Sequence, residues 1–337
     1  MNKPKLLLAV EKELFSGLFS EKDWAFVRER CDVLNAEPPS SPDAGFLREG
    51  LAEAEVVITS WRTARLDETV LSRANRLRLL CHAAGSVKPV VSEALWQRGV
   101  TVTSAASAIA YGVAEYCLGM TLMGTKRAFW LAENTRRGEW RENVGTCFGG
   151  ASEIFREKVG IIGAGHVGRL FVGLLRHFEC DILVYDPYMT SRYAEELGVR
   201  KVDTLDEIFR ECLVVSLNAP STEETERMLR GRHFAMLRRG ALFINTARGK
   251  IIDEPELIEE LRKENFVACL DVAETEPCPA DHPFRTLPNV VLTPHVAGAV
   301  LQNRLRIGAL VAEEVERYCE GRDPCFPVTE KQLATIG

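Results

Sequence analysis

Short apolar runs recur along the chain, and the polar stretches between them carry apolar residues at helical spacing. In the first third the runs fall at 5–10 (KLLLAV), 31–36 (CDVLNA), 54–60 (AEVVITS), 77–83 (LRLLCHA) and 100–105 (VTVTSA). Strands alternating with helices predict a parallel sheet covered on both faces, since each crossover helix returns the chain across the sheet. Residues 37–45 (EPPSSPDAG) break the pattern with prolines and polar residues and predict a loop. Further on, 108–129 is apolar around much of its circumference and has few helix breakers, which predicts a buried helix between domains. The glycine-rich, polar segment 135–153 predicts a surface loop.

The stretch 158–186, KVGIIGAGHVGRLFVGLLRHFECDILVYD, changes the picture. An apolar run at 159–162 stops at Gly163, Gly165 and Gly168, spaced G-x-G-x-x-G. Val167, Leu170, Phe171, Leu174, Leu175 and Phe178 then fall on one helix face, and a second strand at 181–185 ends in Asp186. Strand, glycine turn, helix, strand and terminal acid is the order that a dinucleotide requires. Gly163 permits the turn, Gly165 lets the backbone approach a pyrophosphate, and Gly168 lets the helix lie close to the strand with its free N–H groups toward the phosphates. Asp186 suits the adenosine ribose hydroxyls and repels a 2′-phosphate, and Pro187 and Tyr188 after it offer no arginine to bind one. NAD is therefore favoured over NADP, with Arg192 the nearby cation that weakens the argument. Further strand candidates at 212–218, 241–247, 267–272 and 290–295 predict a doubly wound sheet of about six strands.

Length and composition narrow the class. At 337 residues the chain is long for one core, so two domains are expected. A net charge of −6 without a Lys/Arg block argues against a nucleic-acid footprint. No apolar run approaches the ~20 residues of a membrane span, and the start, MNKPKLLLAVEKELF, does not read as a signal peptide. The ten cysteines are scattered, with no C-x-x-C and no histidine at zinc-ligand spacing, and Cys117, Cys212 and Cys269 sit inside apolar runs. Reduced core thiols in a cytoplasm are the simpler account, and no metal site is predicted.

In open parallel sheets, ligands sit outside the carboxyl ends of the strands. There the sequence offers Arg248 after 241–247, Asp271 and then Glu276 after 267–272, and His295 after 290–294. Singly each has a bland structural reading; together, on the edge where a nicotinamide must lie, they suit hydride transfer. Reducing a ketone builds charge on its oxygen, and imidazole titrates in the range useful for a proton donor, so His295 is the candidate general acid and base. Glu276 would favour the charged ring and orient it, and Arg248 would fork onto a substrate carboxylate beside the carbonyl. The substrate predicted is a small 2-oxo or 2-hydroxy acid.

An ordered series of motifs now resembles the D-isomer-specific 2-hydroxyacid dehydrogenase family: GVAEYCLGM (112–120), GIIGAGHVG (160–168), YDPY (185–188), LNAPSTEET (217–225), INTARGKIIDE (244–254), LDVAETEP (270–277) and LTPHVAGA (292–299). The resemblance implies that Arg248, Glu276 and His295 are the catalytic residues, with Glu276 rather than Glu274 as the acid because it directly precedes the proline. It implies a cofactor site at Gly163, Ala164, Gly165, His166, Val167, Gly168, Asp186, Asn218, Pro220, Thr225, Thr246, Ala247, Asp271, His295 and Gly298, with Asp271 helping to hold the nicotinamide carboxamide. Backbone amides of Gly85, Ser86 and Val87 would receive the substrate carboxylate. The fold implied is a Rossmann NAD-binding domain, 109–299, inserted into a flavodoxin-like substrate domain made of 1–108 and 300–337, in a homodimer. A final helix with Leu301, Leu305, Gly308, Val311, Val315 and Tyr318 on one face would return the chain to the first domain, so that the cleft between domains could close over the substrate. The chain departs from the family at SVKPVV after Gly85, where an aspartate-containing run is common, and at Ala273. The roles of Trp61, Arg62 and Lys88 in the pocket are left open. A formate dehydrogenase-like activity is disfavoured by the glutamate paired with histidine, whereas a phosphite-oxidising enzyme and an NADH-sensing corepressor-like binding protein remain alternatives.

Overall fold

The computed structural model describes residues 3–336. The chain forms two compact units, Met1–Ile109 with Ala299–Gly337, and Ala110–Gly298.

The first unit is built on strands β1 (Lys5–Ala9), β2 (Asp32–Val33), β3 (Val56–Thr59), β4 (Leu79–His82) and β5 (Thr101–Ser104). They pair in parallel in the order β5-β4-β3-β1-β2, the flavodoxin-like winding. Alternate residues serve opposite faces. Leu6 and Leu8 pack with Val56, Ile58 and the helix Leu301–Cys319, while Leu7 and Ala9 pack with Leu47, Val57 and Leu80 on the other side. Both faces are covered, which explains why the central strands β1, β3 and β4 read as apolar runs without polar alternation. The helix Leu301–Cys319 presses its backbone onto Lys12–Leu18: a Cβ on Gly308 would lie 2.0 Å from the Leu18 carbonyl oxygen.

The second unit holds β6 (Lys158–Ile162), β7 (Asp181–Tyr185), β8 (Arg200–Val202), β9 (Val214–Leu217), β10 (Ala241–Asn245), β11 (Phe266–Leu270) and β12 (Val290–Leu292). All are parallel, in the order β12-β11-β10-β9-β6-β7-β8, so the strand order reverses between β6 and β9, beside the glycine turn. Phe209, Phe234, Phe243 and Phe266 pack edge to face and stacked under one face of the sheet, with centroids 5.1–6.4 Å apart. Burying an aromatic side chain of this size stabilises the fold by about 2–3 kcal/mol.

Three elements differ from the sequence expectation. The helix expected over 108–129 spans Ala106–Thr125 and is cut from a second helix, Ala128–Arg136, by Arg127 in the left-handed region at φ 55°. The Arg127 guanidinium is buried and donates to the carbonyls of Gly124, Phe148 and Gly240, two of them far along the chain, so tertiary bonds decide the break. Strand β8 escaped notice because it is three residues long, carries Arg200 and Lys201, and lies at the sheet edge. The tail, in which the sequence pattern marks no strand, adds β13 (Pro327–Val328), paired antiparallel with β5.

Candidate active site

The glycine turn in the second unit has the shape that a pyrophosphate needs. Gly163 sits at φ +94° with the backbone of Asn218 and Ala219 against its α-carbon, and a Cβ on Gly168 would lie 2.1 Å from the Gly163 carbonyl oxygen. These two glycines close the turn against the protein. A Cβ on Gly165 would meet nothing within 4 Å, so the space before the helix His166–Leu175 is open where a phosphate approaches its first-turn amides. Asp186, just past β7, ties this turn down: its carboxylate accepts from the Ala164 amide at 2.7 Å and the Tyr188 amide at 2.8 Å. A carboxylate has about four acceptor sites, so two ribose hydroxyls can still be bound. Arg192 is paired with Glu196 at 3.0 Å. Asn218 follows β9, bonded to the Ser216 hydroxyl at 3.1 Å, and Thr225 closes its turn onto the Pro220 carbonyl at 2.7 Å. Thr246 faces the Cys117 thiol at 3.3 Å.

Arg248, Glu276 and His295 arrive at the same edge. Asn245 ends β10 and shapes the turn, its amide group accepting from the Ala247 N–H and donating to the Arg248 carbonyl. Gly249 lets this turn lie on the next loop, since a Cβ there would fall 2.1 Å from the Ala273 carbonyl carbon. The Arg248 side chain is exposed by area, yet surrounding protein desolvates it enough to lower its pKa, an effect that the Glu276 charge opposes. His295 Nδ1 and Glu276 Oε2 are 2.7 Å apart. With Nδ1 so engaged, Nε2 is the nitrogen left to face a substrate.

His295 takes a left-handed backbone conformation at φ 53°, unfavourable for a residue with a side chain. Asp271 holds it there. The buried carboxylate accepts from the Thr293 hydroxyl at 2.6 Å and from the amides of Val296 and Ala297 at 2.9 and 2.8 Å, while its carbonyl accepts from the His295 amide at 2.9 Å. Tyr116 adds a bond to Thr293 at 2.6 Å. Asp271 thus braces the histidine turn in addition to the cofactor role expected of it. Glu274 pairs with Arg227 at 3.3 Å, not with His295.

Sequence reading missed Glu254 and His282. Glu254 is buried, accepts from the Glu274 amide at 2.9 Å and lies 2.9 Å from His282 Nε2, so it clamps both ends of the loop that carries Glu276. Nothing local marks this pair, since Glu254 opens the helix Glu254–Leu261 and His282 caps the short helical turn Pro283–Arg285.

In the first unit, Arg62 is paired with Glu11 at 3.0 Å and remains largely exposed, and Trp61 packs against the core. Gly85, Ser86 and Val87 follow β4 in a turn whose N–H groups donate to no acceptor among the described residues. Among those residues no His, Cys, Asp and Glu cluster could hold a metal ion, and no helix is long and apolar enough to cross a membrane.

Two doubly wound sheets, one carrying an open glycine cradle with an acid at the end of the next strand, define an α/β protein with a dinucleotide-binding domain. Residues 118–297 match the family model described as D-isomer specific 2-hydroxyacid dehydrogenase, NAD binding domain. The chain is 31% identical over 276 residues to D-3-phosphoglycerate dehydrogenase of Methanocaldococcus jannaschii, covering 82% of this chain and 52% of that protein. It is 29% identical to glyoxylate reductase of Korarchaeum cryptofilum, covering 87% of each. The crystal structure of apo D-mandelate dehydrogenase from Rhodotorula graminis shares the fold, with a TM-score of 0.83, 20% identity and 98% of each chain covered. The chain spans about half the length of the phosphoglycerate dehydrogenases that it matches. It belongs to the D-isomer specific 2-hydroxyacid dehydrogenase family, and its second unit carries that family's NAD-binding domain.

Proposed function

We propose that the protein is an NAD-dependent oxidoreductase acting on a small D-2-hydroxy acid or the corresponding 2-oxo acid. The observation that carries this reading is the His295–Glu276 pair at 2.7 Å, on the sheet edge that also holds Arg248 and the glycine cradle. Bound NADH supplies the hydride that reaches the carbonyl carbon. His295 gives the proton from Nε2 to the carbonyl oxygen and takes it back in the reverse direction, and Glu276 stabilises the charged ring. Arg248 pairs with the substrate carboxylate and polarises the adjacent carbonyl. The turn of Gly85, Ser86 and Val87, with its free backbone N–H groups, is read as a carboxylate-binding turn, which makes the first unit the substrate domain and Ala110–Gly298 the cofactor domain. Asp186 disfavours a 2′-phosphate by charge, so NAD is the cofactor used. The reading extends to a homodimer, as the family resemblance implies, and to a reducing compartment such as the cytoplasm, which suits ten free thiols.

The test is a screen of 2-oxo acids with NADH, repeated on His295→Ala and Arg248→Ala. For His295→Ala, kcat should fall by about 10²- to 10⁴-fold, the usual worth of a positioned acid. Turnover of none of the acids would overturn the activity, and undiminished turnover in both variants would overturn the residue roles. Better use of NADPH than NADH would contradict the part given to Asp186, and a monomer by sedimentation would remove the dimer.

A further inference from the structure

The last residues of β3, β4 and β5 stand side by side in register, Thr59 opposite His82 and His82 opposite Ser104. All three are polar and buried, two of them at the ends of otherwise apolar strands, and none has a place in the chemistry above. Each is tied to the turn that follows β4 or to a neighbour in the row. The Ser104 hydroxyl donates to the Gly85 carbonyl at 2.5 Å while accepting from the Ala106 amide at 3.1 Å. Next to the row, the Ser60 hydroxyl donates to the Ala83 carbonyl at 2.9 Å, and the Ala105 amide donates to the Ala84 carbonyl at 3.1 Å.

His82 completes the set. Its Nδ1 lies 3.0 Å from the Thr59 hydroxyl, and the ring also bonds the Ser86 backbone in a way that favours the protonated form, as a carbonyl acceptor does. Burial nevertheless pushes the ring down to about 4, so near neutrality it is uncharged, with one N–H and one lone pair. With Nδ1 accepting from the Thr59 hydroxyl, the N–H sits at Nε2, the nitrogen left for the Ser86 carbonyl. The carbonyls of Ala83, Ala84 and Gly85 are held from the protein side and that of Ser86 faces the His82 ring, while the N–H groups of Gly85 and Ser86 have no acceptor among the described residues. Successive free amides of this kind form a concavity suited to an anion.

We propose that His82, oriented by Thr59, and Ser104 are positioning residues for this turn: by binding its carbonyls they aim its amides at a substrate carboxylate. The proposal rests on the reading of the turn as the carboxylate site, and the experiment separates the two. His82→Asn keeps a group near Nδ1 for Thr59 but cannot reach Ser86, whereas His82→Gln reaches Ser86. Ser104→Ala removes the bond to Gly85. Amide hydrogen exchange of a peptide covering 84–88 needs no turnover, and it should be faster in His82→Asn and Ser104→Ala than in the wild type, with His82→Gln close to wild type. In steady-state assays His82→Asn should raise KM for the 2-oxo acid by about tenfold, the worth of one such hydrogen bond, with KM for NADH within about twofold of wild type. Wild-type exchange in both His82→Asn and Ser104→Ala would overturn the positioning. Equal losses in acid and NADH binding, with a lowered Tm, would also overturn it by marking a merely structural role. If the turn loosens but KM for the acid stays unchanged, the assignment of the carboxylate to this turn falls instead.

Discussion

The carboxyl edges of the two parallel sheets solve the same problem with opposite chemistry. In the second unit, buried or half-buried carboxylates reach into the loops and accept from backbone amides: Asp186 from Ala164 and Tyr188, Asp271 from Val296 and Ala297, Glu254 from Glu274. In the first unit, neutral hydroxyls donate to carbonyls of the turn after β4: Ser60 to Ala83, Ser104 to Gly85. In the first unit this leaves the N–H groups of Gly85 and Ser86 without an acceptor among the described residues. Where carboxylates take up the amides, the edge is rich in negative charge, as the proposed ribose and imidazole roles at that edge require. Where hydroxyls take up the carbonyls, the amides remain, and the edge suits an anion without a single cationic side chain being needed.

The comparison can be broken at its strongest point first. Asp271→Ala removes three side-chain bonds from the histidine turn, and charged acceptors carry more than neutral ones, so chemical denaturation should show a loss on the order of 4 kcal/mol. A loss below that of a single neutral hydrogen bond would mean that the turn stands without its carboxylate. Next comes the acid limb of the first unit. His82 titrates at about 4 when folded against an ordinary 6.5, so the folded state favours the neutral ring and the unfolded state binds the proton more readily. Its contribution is whole above pH 6.5 and is lost as the pH falls toward 4, by roughly 3 kcal/mol. Urea unfolding at pH 7 and 4.5 should show a smaller acid loss in His82→Asn than in the wild type, and equal losses would contradict a neutral edge. The smallest effect is Ser60→Ala, which deletes one neutral bond and should cost about 1 kcal/mol with no change in cofactor binding. A cost as large as that of Asp271→Ala would erase the distinction between the edges.

Much of this was legible before folding. The glycine spacing and Asp186 mark the cradle because the chemistry is local: a turn, a helix end and a strand end within thirty residues. Arg248, Glu276 and His295 could be picked out because each follows an apolar run, and parallel strands deliver such residues to one edge. The row Thr59, His82 and Ser104 left a weaker sign, a polar residue closing each of three strands, and reading it required the register. The pairing of Glu254 with His282 left none, since residues 28 apart meet only through the packing of a helix start against a later turn. The break at Arg127 was equally hidden, because its deciding acceptor, Gly240, lies 113 residues away.

The sequence by itself determined the two parallel-sheet units, the dinucleotide turn and the residue types brought to the reactive edge, since strand periodicity and glycine spacing act over short stretches of chain. Tertiary structure alone decided which backbone groups face outward from each edge. That depends on which side chains reach the loops from neighbouring strands, and strand register, a relation between distant segments, fixes their reach.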